Sequence, residues 1–252
     1  MSSLIYHPKV SVITVCFNAV ETIEETILSV FNQTYDNVEY IVVDGASTDG
    51  TNDVISRYSN RISQYISEPD EGLYDALNKG VMLSSGDWIG VMNCGDVFHD
   101  NNVLKNVFLN IIDENVGVIY GNCVEINNKS VEKRVCFAQH APSDTGLPPQ
   151  YRHGASFVRC SVHKNFLFDI DKKCKYDYGL DYLQIYTMYK SGVLFEYKDI
   201  IMIDYLKEGM SNHSWKNKYL RTLTENDGKK NIMFFIKFVK ACIMSAMRKM
   251  NW

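Results

Sequence analysis

The chain has 252 residues, 46% hydrophobic and 22% charged, a composition that builds a sizeable core and leaves no room for long disordered tails. That length exceeds one typical domain, yet α/β folds often run this long as one unit, so one main domain with appendages is expected. The net charge of −4 conceals a division: residues 215–252 hold nine Lys and Arg against two acids, and residues 1–214 carry −11. A basic end on an acidic protein docks on anionic lipid or nucleic acid, or is simply a solvated face.

Seven cysteines, odd in number and without a C-x-x-C pair, favour neither a disulfide framework nor a zinc site and suit a reducing cytosol. The opening "MSSLIYHPKVSVI" lacks the features of a secretory signal, and no segment reaches the ~18 uncharged apolar residues of a spanning helix. The protein is expected to stay inside the cell.

In chain order, "KVSVITVCF" (9–17) is β-branched and apolar, and "AVETIEETILSVFNQT" (19–34) places Ile23, Ile27, Val30 and Phe31 at helical spacing. "EYIVVDGASTDGT" repeats the theme with a strand, a polar turn and the helix "TNDVISRYS" (51–59). A third strand, "RISQYISEPD" (61–70), leads through Gly72 into the helix "LYDALNKGVMLSS" (73–85). Gly86 closes that helix before the strand "DWIGVMN" (87–93). Such alternation implies a mostly parallel sheet covered on both faces, with ligands beyond the carboxyl ends of the strands.

After "NVGVIYGN" (115–122) the alternation weakens. Residues 123–137 read as a hairpin turning at Asn127, Asn128 and Lys129, and residues 138–152, with three prolines, as a long loop of the kind that carries function. "GASFVRCSV" (154–162) reads as a strand and "DYGLDYLQIYTMYKSG" (177–192) as a helix ending at Gly192. The tail, 231–252, is a broadly apolar helix interrupted by Lys237, Lys240, Arg248 and Lys249. It lies in a membrane interface, packs on the domain, or meets a second copy in a homodimer; the sequence leaves these open.

Four polar clusters converge on the strand ends: Phe17 and Asn18, Asp44 to Asp49, Glu68 to Asp70, and Asn93 to Asp96. Asp49 and Thr51 read as turn chemistry. Asp44, directly at a strand end, faces the crevice where a carboxylate accepts hydrogen bonds from a nucleoside. Asp96 either holds Mg²⁺ or Mn²⁺ through its oxygens or caps the helix near Asp100; taken alone the two readings are close.

The segments "KVSVITVCFNAVETIEETILSVFNQTYDNVEYIVVDGASTDGT" and "EPDEGLYDALNKGVMLSSGDWIGVMNCGD" resemble the nucleotide-sugar-binding region of family 2 inverting glycosyltransferases with the GT-A fold. The variant "EPDEGLYDALNKG … NCGD" is most similar to bacterial enzymes that build capsule, exopolysaccharide or O-antigen chains. The likeness covers roughly the first hundred residues strongly and continues more loosely through "RHGASFVRCSVHKNFLFD" and the acid of "GLDYLQIYTMYKSG".

That resemblance implies an α/β GT-A fold with a C-terminal helical appendage: residues 1–121 bind the donor, 122–214 form the acceptor side of the same domain, and 215–252 are basic amphipathic helices. It implies that Phe17 lies against the nucleobase, Asp44 contacts the nucleoside, Asp96 holds Mn²⁺ or Mg²⁺, and Asp181 is the base that deprotonates the acceptor hydroxyl. Asn93, Asp70, Lys79 and His153 are further donor contacts on the same ground. Without the resemblance, Asp75 and Lys79 read as a surface ion pair one helical turn apart, and His153 as structural. His213 has no spacing that requires it in a metal shell.

The chain departs from the pattern at Gly45, where a second acid reads uracil, at Gly95, where the metal motif has another acid, and at Leu180, where an acid precedes the base; Asp177 is the nearest substitute. A UDP-sugar donor is favoured, with a saccharide or lipid-linked saccharide as acceptor at the cytoplasmic membrane face. The alternative is a nucleotide-sugar-binding or scaffold protein of this fold that has lost turnover. A dinucleotide oxidoreductase is excluded by "TVCFNAVET", which has no glycine, and no phosphate loop of a nucleoside triphosphatase is present. Nucleic-acid binding gains little from a basic tail made mostly of Met, Phe and Ile.

Overall fold

The computed structural model describes residues 7–109, 113–127, 132–141, 146–170, 179–206, 219, 222–225 and 229–250. The first half is a βα alternation: β1 Val10–Cys16, α1 Ile23–Phe31, β2 Val38–Asp44, α2 Thr51–Ser56, β3 Gln64–Ser67, α3 Leu73–Leu83 and β4 Trp88–Val91. These four strands lie parallel in the order β3-β2-β1-β4. Period-2 alternation along β1 and β2 sends Val10, Val12, Tyr40 and Val42 to one apolar cluster with α1 and α2, and Ile13, Val15, Ile41 and Val43 to another with α3. Both faces are covered, which is why these strands read as unbroken apolar runs.

The second half extends the same sheet with mixed directions. It contains β5 Val97–Phe98, α4 Val103–Phe108, β6 Val116–Asn127, β7 Glu132–Cys136, a 3₁₀ turn at His153–Ala155, β8 Ser156–Arg159 and α5 Cys160–Asn165. It continues with α6 Leu180–Lys190, β9 Leu194–Leu206 and, as α7, Ile232–Met250. β8 inserts antiparallel between β4 and β6, β9 runs parallel to β6, and β5 joins the far edge. The expected boundary at 121/122 falls inside β6.

Three details differ from the sequence pattern. The third strand is only four residues long, because the chain leaves the sheet before Pro69. The nine-residue strand expected at 154–162 is four residues of strand followed by a helix. The 13-residue β9 has no counterpart in the sequence reading, since Glu196, Lys198, Asp199 and Asp204 break any apolar alternation. The hairpin at 123–137 is present as β6 and β7, with Cys123 opposite Cys136. Residues 138–141 and 146–152 are irregular apart from the bridge between Gln139 and Gln150.

Candidate active site

The carboxyl ends of β1 and β2 form one laced rim. The Asn18 amide donates to Ser47 Oγ at 2.8 Å, and Thr48 N donates back to Asn18 Oδ1 at 2.9 Å. Ala19 N and Val20 N donate to Thr51 Oγ1 and Asp49 Oδ2. Asp49 and Thr51 therefore perform the turn chemistry expected of them. Asn18 and Ala46 both adopt positive φ, at 48° and 63°, a local strain that only surrounding contacts can hold and that concentrates at functional sites.

Asp44 is placed differently from the sequence expectation. It continues the Tyr40 and Val42 side of β2, so its carboxylate points inward and is fully buried. Ser47 N and Ser67 Oγ donate to its Oδ2 at 2.9 and 2.7 Å, and Ser47 Oγ donates to its Oδ1. Burial alone would raise its pKa; the serine hydrogen bonds outweigh that and hold it below the usual carboxylate range. Asp44 thus braces two strand ends beneath the rim.

Above it stand Phe17, Gly45 and Asp70. Phe17 is 64% exposed at the end of β1. A Cβ on Gly45 would sit 3.3 Å from Phe17 Cδ2 and 2.6 Å from Asp70 Oδ2. The Asp70 carboxylate therefore fills the space a side chain at 45 would use. Its Oδ1 accepts the Gly72 amide at 2.6 Å, fixing the group at the start of α3. Lys79 turns back on its own motif, 2.9 Å from Glu68 and 3.5 Å from Asp75, with Pro69 O at 3.0 Å.

Asp96 follows β4. Its amide bonds Asn93 O at 3.0 Å, and Asn93 Nδ2 approaches its Oδ2 at 3.4 Å. It does not cap the next helix, whose N-cap is Asn102. Burial pushes its carboxyl up to about 7, against the lowering influence of Asn93, the Leu206 amide and the Arg152 charge. An enclosed carboxylate with so little compensating charge fits a divalent cation. Among the described residues no group of three or more His, Cys, Asp and Glu side chains surrounds a metal position. Asp96 would be the single protein carboxylate on the ion, with phosphate oxygens and water completing the shell. Gly95 has φ 92°, and a Cβ there would meet Leu206 and Thr22, so a second acid at that position would be strained.

Residues 151–154 run between Asp96 and Asp181. A Cβ on Gly154 would lie 3.9 Å from Asp96 Oδ2. Burial lowers the His153 pKa, opposed by the nearby Asp181 charge and the Gln184 side chain. The same Asp181 charge acts on Tyr151 and on Tyr74. Asp181 stands in the first turn of α6. Asp177 and His213 lie outside the described residues.

Two residues escape the sequence reading. Arg152 stacks 4.2 Å over the Tyr205 ring, donates to Tyr205 Oη at 2.7 Å and lies 3.8 Å from Glu125, with its charge acting on Asp96. A cation directly before His153 was the available signal. Tyr74, on α3, accepts the Gly179 amide at 3.1 Å at the head of α6. Nothing in "GLYDALNKG" marks a contact 105 residues away.

A mixed sheet with a parallel βα half, an exposed aromatic and a carboxylate at the ends of β1 and β2, and a partly buried acid after β4 make up an α/β fold of the GT-A kind, with polar groups gathered at its strand ends. The profile of the glycosyl transferase family 2 matches residues 11–174, and the chain belongs to that family. It is 38% identical over 98 residues to an uncharacterized glycosyltransferase of Mycobacterium tuberculosis, covering 38% of this chain and 37% of that one. A Rickettsia prowazekii glycosyltransferase is 30% identical over 190 residues, 71% of this chain and 59% of its own length. The Escherichia coli enzyme named UDP-Glc:alpha-D-GlcNAc-diphosphoundecaprenol beta-1,3-glucosyltransferase WfgD is 32% identical over 123 residues, 48% of each chain. Each match thus spans less than two thirds of the relative's length.

Among solved structures, the mannosyltransferase PcManGT of Pyrobaculum calidifontis, in complex with GDP-Man and Mn²⁺, superposes with a TM-score of 0.63 at 18% identity, covering 92% of this chain and 68% of that one. S. aureus TarS 1–349 in complex with UDP gives 0.64 at 18%, covering 86% and 65%. At this identity the likeness establishes the GT-A fold.

Proposed function

We propose that the chain transfers a sugar from a nucleotide-sugar, with inversion and with a divalent cation, to a saccharide hydroxyl in bacterial surface-polysaccharide synthesis. The observation that carries this reading is the run 151–154, which lies against the metal candidate Asp96 at one end and within the field of Asp181 at the other. A cation and a sugar's reactive carbon need that pair of acids.

In this reading the base stacks on Phe17, and the free Oδ2 of Asp70 accepts its N–H. With Oδ1 holding the Gly72 amide, Oδ2 is the oxygen offered to the imide N–H of uracil. Asp44 shapes the floor without touching the ligand. When bound, the cation on Asp96 offsets the charge that grows on the departing diphosphate. Arg152 stands beside that position as a second cation, and Asn93 holds the Asp96 carboxylate in place. Asp181 takes the acceptor's proton as its oxygen bonds the anomeric carbon from the face opposite the breaking bond to the diphosphate. His153 walls this site.

The E. coli relative's name supports a lipid-linked saccharide acceptor, and TuaG of Bacillus subtilis, 33% identical over 105 residues and named "Putative teichuronic acid biosynthesis glycosyltransferase", supports a part in polysaccharide synthesis. Among the described residues no helix is long and apolar enough to cross a membrane. On α7, Ile232, Phe235, Ile236 and Val239 are exposed at one-face spacing, while Phe234 is buried against Tyr219. With Lys240 flanking that stripe, α7 suits an anionic membrane surface.

The test is a panel of UDP-glucose, UDP-N-acetylglucosamine and GDP-mannose with Mn²⁺, following donor consumption in wild type, Asp96→Ala and Asp181→Ala. The first variant should lose Mn²⁺-dependent donor affinity, and the second should keep binding while losing transfer. Normal turnover in both would overturn the assignment.

A further inference from the structure

The geometry points to Tyr74 as a positioning residue that ties the donor-side helix α3 to the first turn of α6, where Asp181 stands. The inference rests on the reading of Asp181 as the acceptor-side base.

The N-cap of α6 is Gly179, which has φ 95° and no side chain with which to cap the helix. The opening amides of a helix have no partner within it, and a side-chain oxygen normally supplies one. Here that oxygen comes from another helix. Tyr74 Oη accepts the Gly179 N–H at 3.1 Å, and the Leu180 and Asp181 amides also favour negative charge on it. The hydroxyl is therefore bonded to the amide two residues before Asp181, at the start of the turn that carries it.

Tyr74 is well held. It is 8% exposed, and its ring packs 4.9 Å from Phe168. Asn78, one turn further along α3, exchanges two hydrogen bonds with the Phe168 backbone, at 2.8 and 2.9 Å. Gln184 of α6 donates to Phe166 O at 2.6 Å. α3, residues 166–168 and α6 are thus joined at four points. At this same N-terminal end α3 starts beside Gly72, whose amide is held by Asp70, the carboxylate placed at the donor base. A continuous chain of bonded groups runs from donor recognition to the base, and Tyr74 is its last link.

Tyr74→Phe keeps the ring on Phe168 and deletes only the oxygen. We measure amide hydrogen exchange across residues 180–184, with and without UDP and Mn²⁺ as the probe, together with UDP affinity and turnover of the panel donor that wild type consumes fastest. In wild type, UDP and Mn²⁺ should slow exchange in the first turn of α6 by about threefold or more. In Tyr74→Phe that response should vanish, UDP affinity should stay within about twofold, and kcat should fall about tenfold or more at unchanged donor KM, as expected when a reacting group is misplaced by a fraction of an ångström.

An exchange response equal to wild type overturns the coupling. A lost response with unchanged kcat also overturns it, because the hydroxyl would then be a helix cap only, and a matched loss of UDP affinity would place Tyr74 in the donor site instead. A wild-type protein that consumes none of the donors sinks the transferase reading, and the exchange measurement then still decides the link between α3 and α6.

Discussion

Asp70 Oδ2 lies 2.6 Å from the point where a Cβ on Gly45 would stand. One carboxylate, delivered from the start of α3, occupies the place that a side chain at the end of β2 would fill. Adding a methyl at 45 must displace it, and its second oxygen is tethered to Gly72. Gly45→Ala should therefore weaken UDP binding in the presence of Mn²⁺ about tenfold, roughly 1.4 kcal/mol, with little change in thermal stability. Asp70→Asn, which leaves the shape and removes the charge, should weaken it by a similar factor. Titration calorimetry reads both; an unchanged Kd in either variant removes Asp70 from the base pocket.

Asp96 carries a cost in the metal-free protein. Its folded pKa is raised, so its contribution to stability is fully present below the unfolded value near 3.8 and is lost as pH rises through about 7. Asp96→Asn is indifferent to pH in this range. The metal-free variant should match wild type near pH 4 and become more stable than it by a few kcal/mol at most at pH 8. Thermal melts in a chelating buffer across pH 4–8 test this. The same variant should lose the stabilisation that Mn²⁺ with UDP gives wild type.

Glu39 shows the opposite sign. It is 5% exposed and accepts bonds from Ser11, Ser85 and Lys9, which outweigh burial and lower its pKa to about 2. Its contribution is present above the unfolded value near 4.5 and is lost as pH falls toward 2. Glu39→Gln should be destabilised by about 2–3 kcal/mol at pH 7, and the gap to wild type should close on acidification. A gap that is constant from pH 7 to pH 2.5 would contradict the assignment.

Ile232→Glu with Ile236→Glu places two charges on the exposed stripe of α7. Co-sedimentation with vesicles containing phosphatidylglycerol should fall about tenfold, because each change removes an inserted side chain and adds repulsion. If partitioning is unaffected while sedimentation equilibrium shows loss of a dimer, the stripe faces a second copy of the chain.

The first ninety residues were largely legible because β1, β2 and β4 are covered on both faces and each helix has one apolar side, so the alternation survives in the letters. β8 was found but drawn too long at its C-terminal side, and β9 was missed, since its neighbour β6 is far away in sequence and supplies the order its own residues do not announce. Within the site, Phe17 could be placed on the exposed rim from its position after β1. Asp44 was read one step too far outward: the strand end was right, but the pleat decides the direction, and Ser67 on the neighbouring strand had already claimed the carboxylate. Tyr74 and Arg152 act through partners that only packing reveals.

The hydrogen bonds that lace the β1 and β2 turns join side chains of one loop to main-chain amides of the other, at Asn18 with Ser47 and Thr48, and at Ala19 and Val20 with Thr51 and Asp49. Both loops are consequently set before any nucleotide arrives, and little conformational freedom is left to surrender on binding. Capture of the base end should then proceed at the pace of diffusive encounter, leaving selectivity to how long each nucleotide stays.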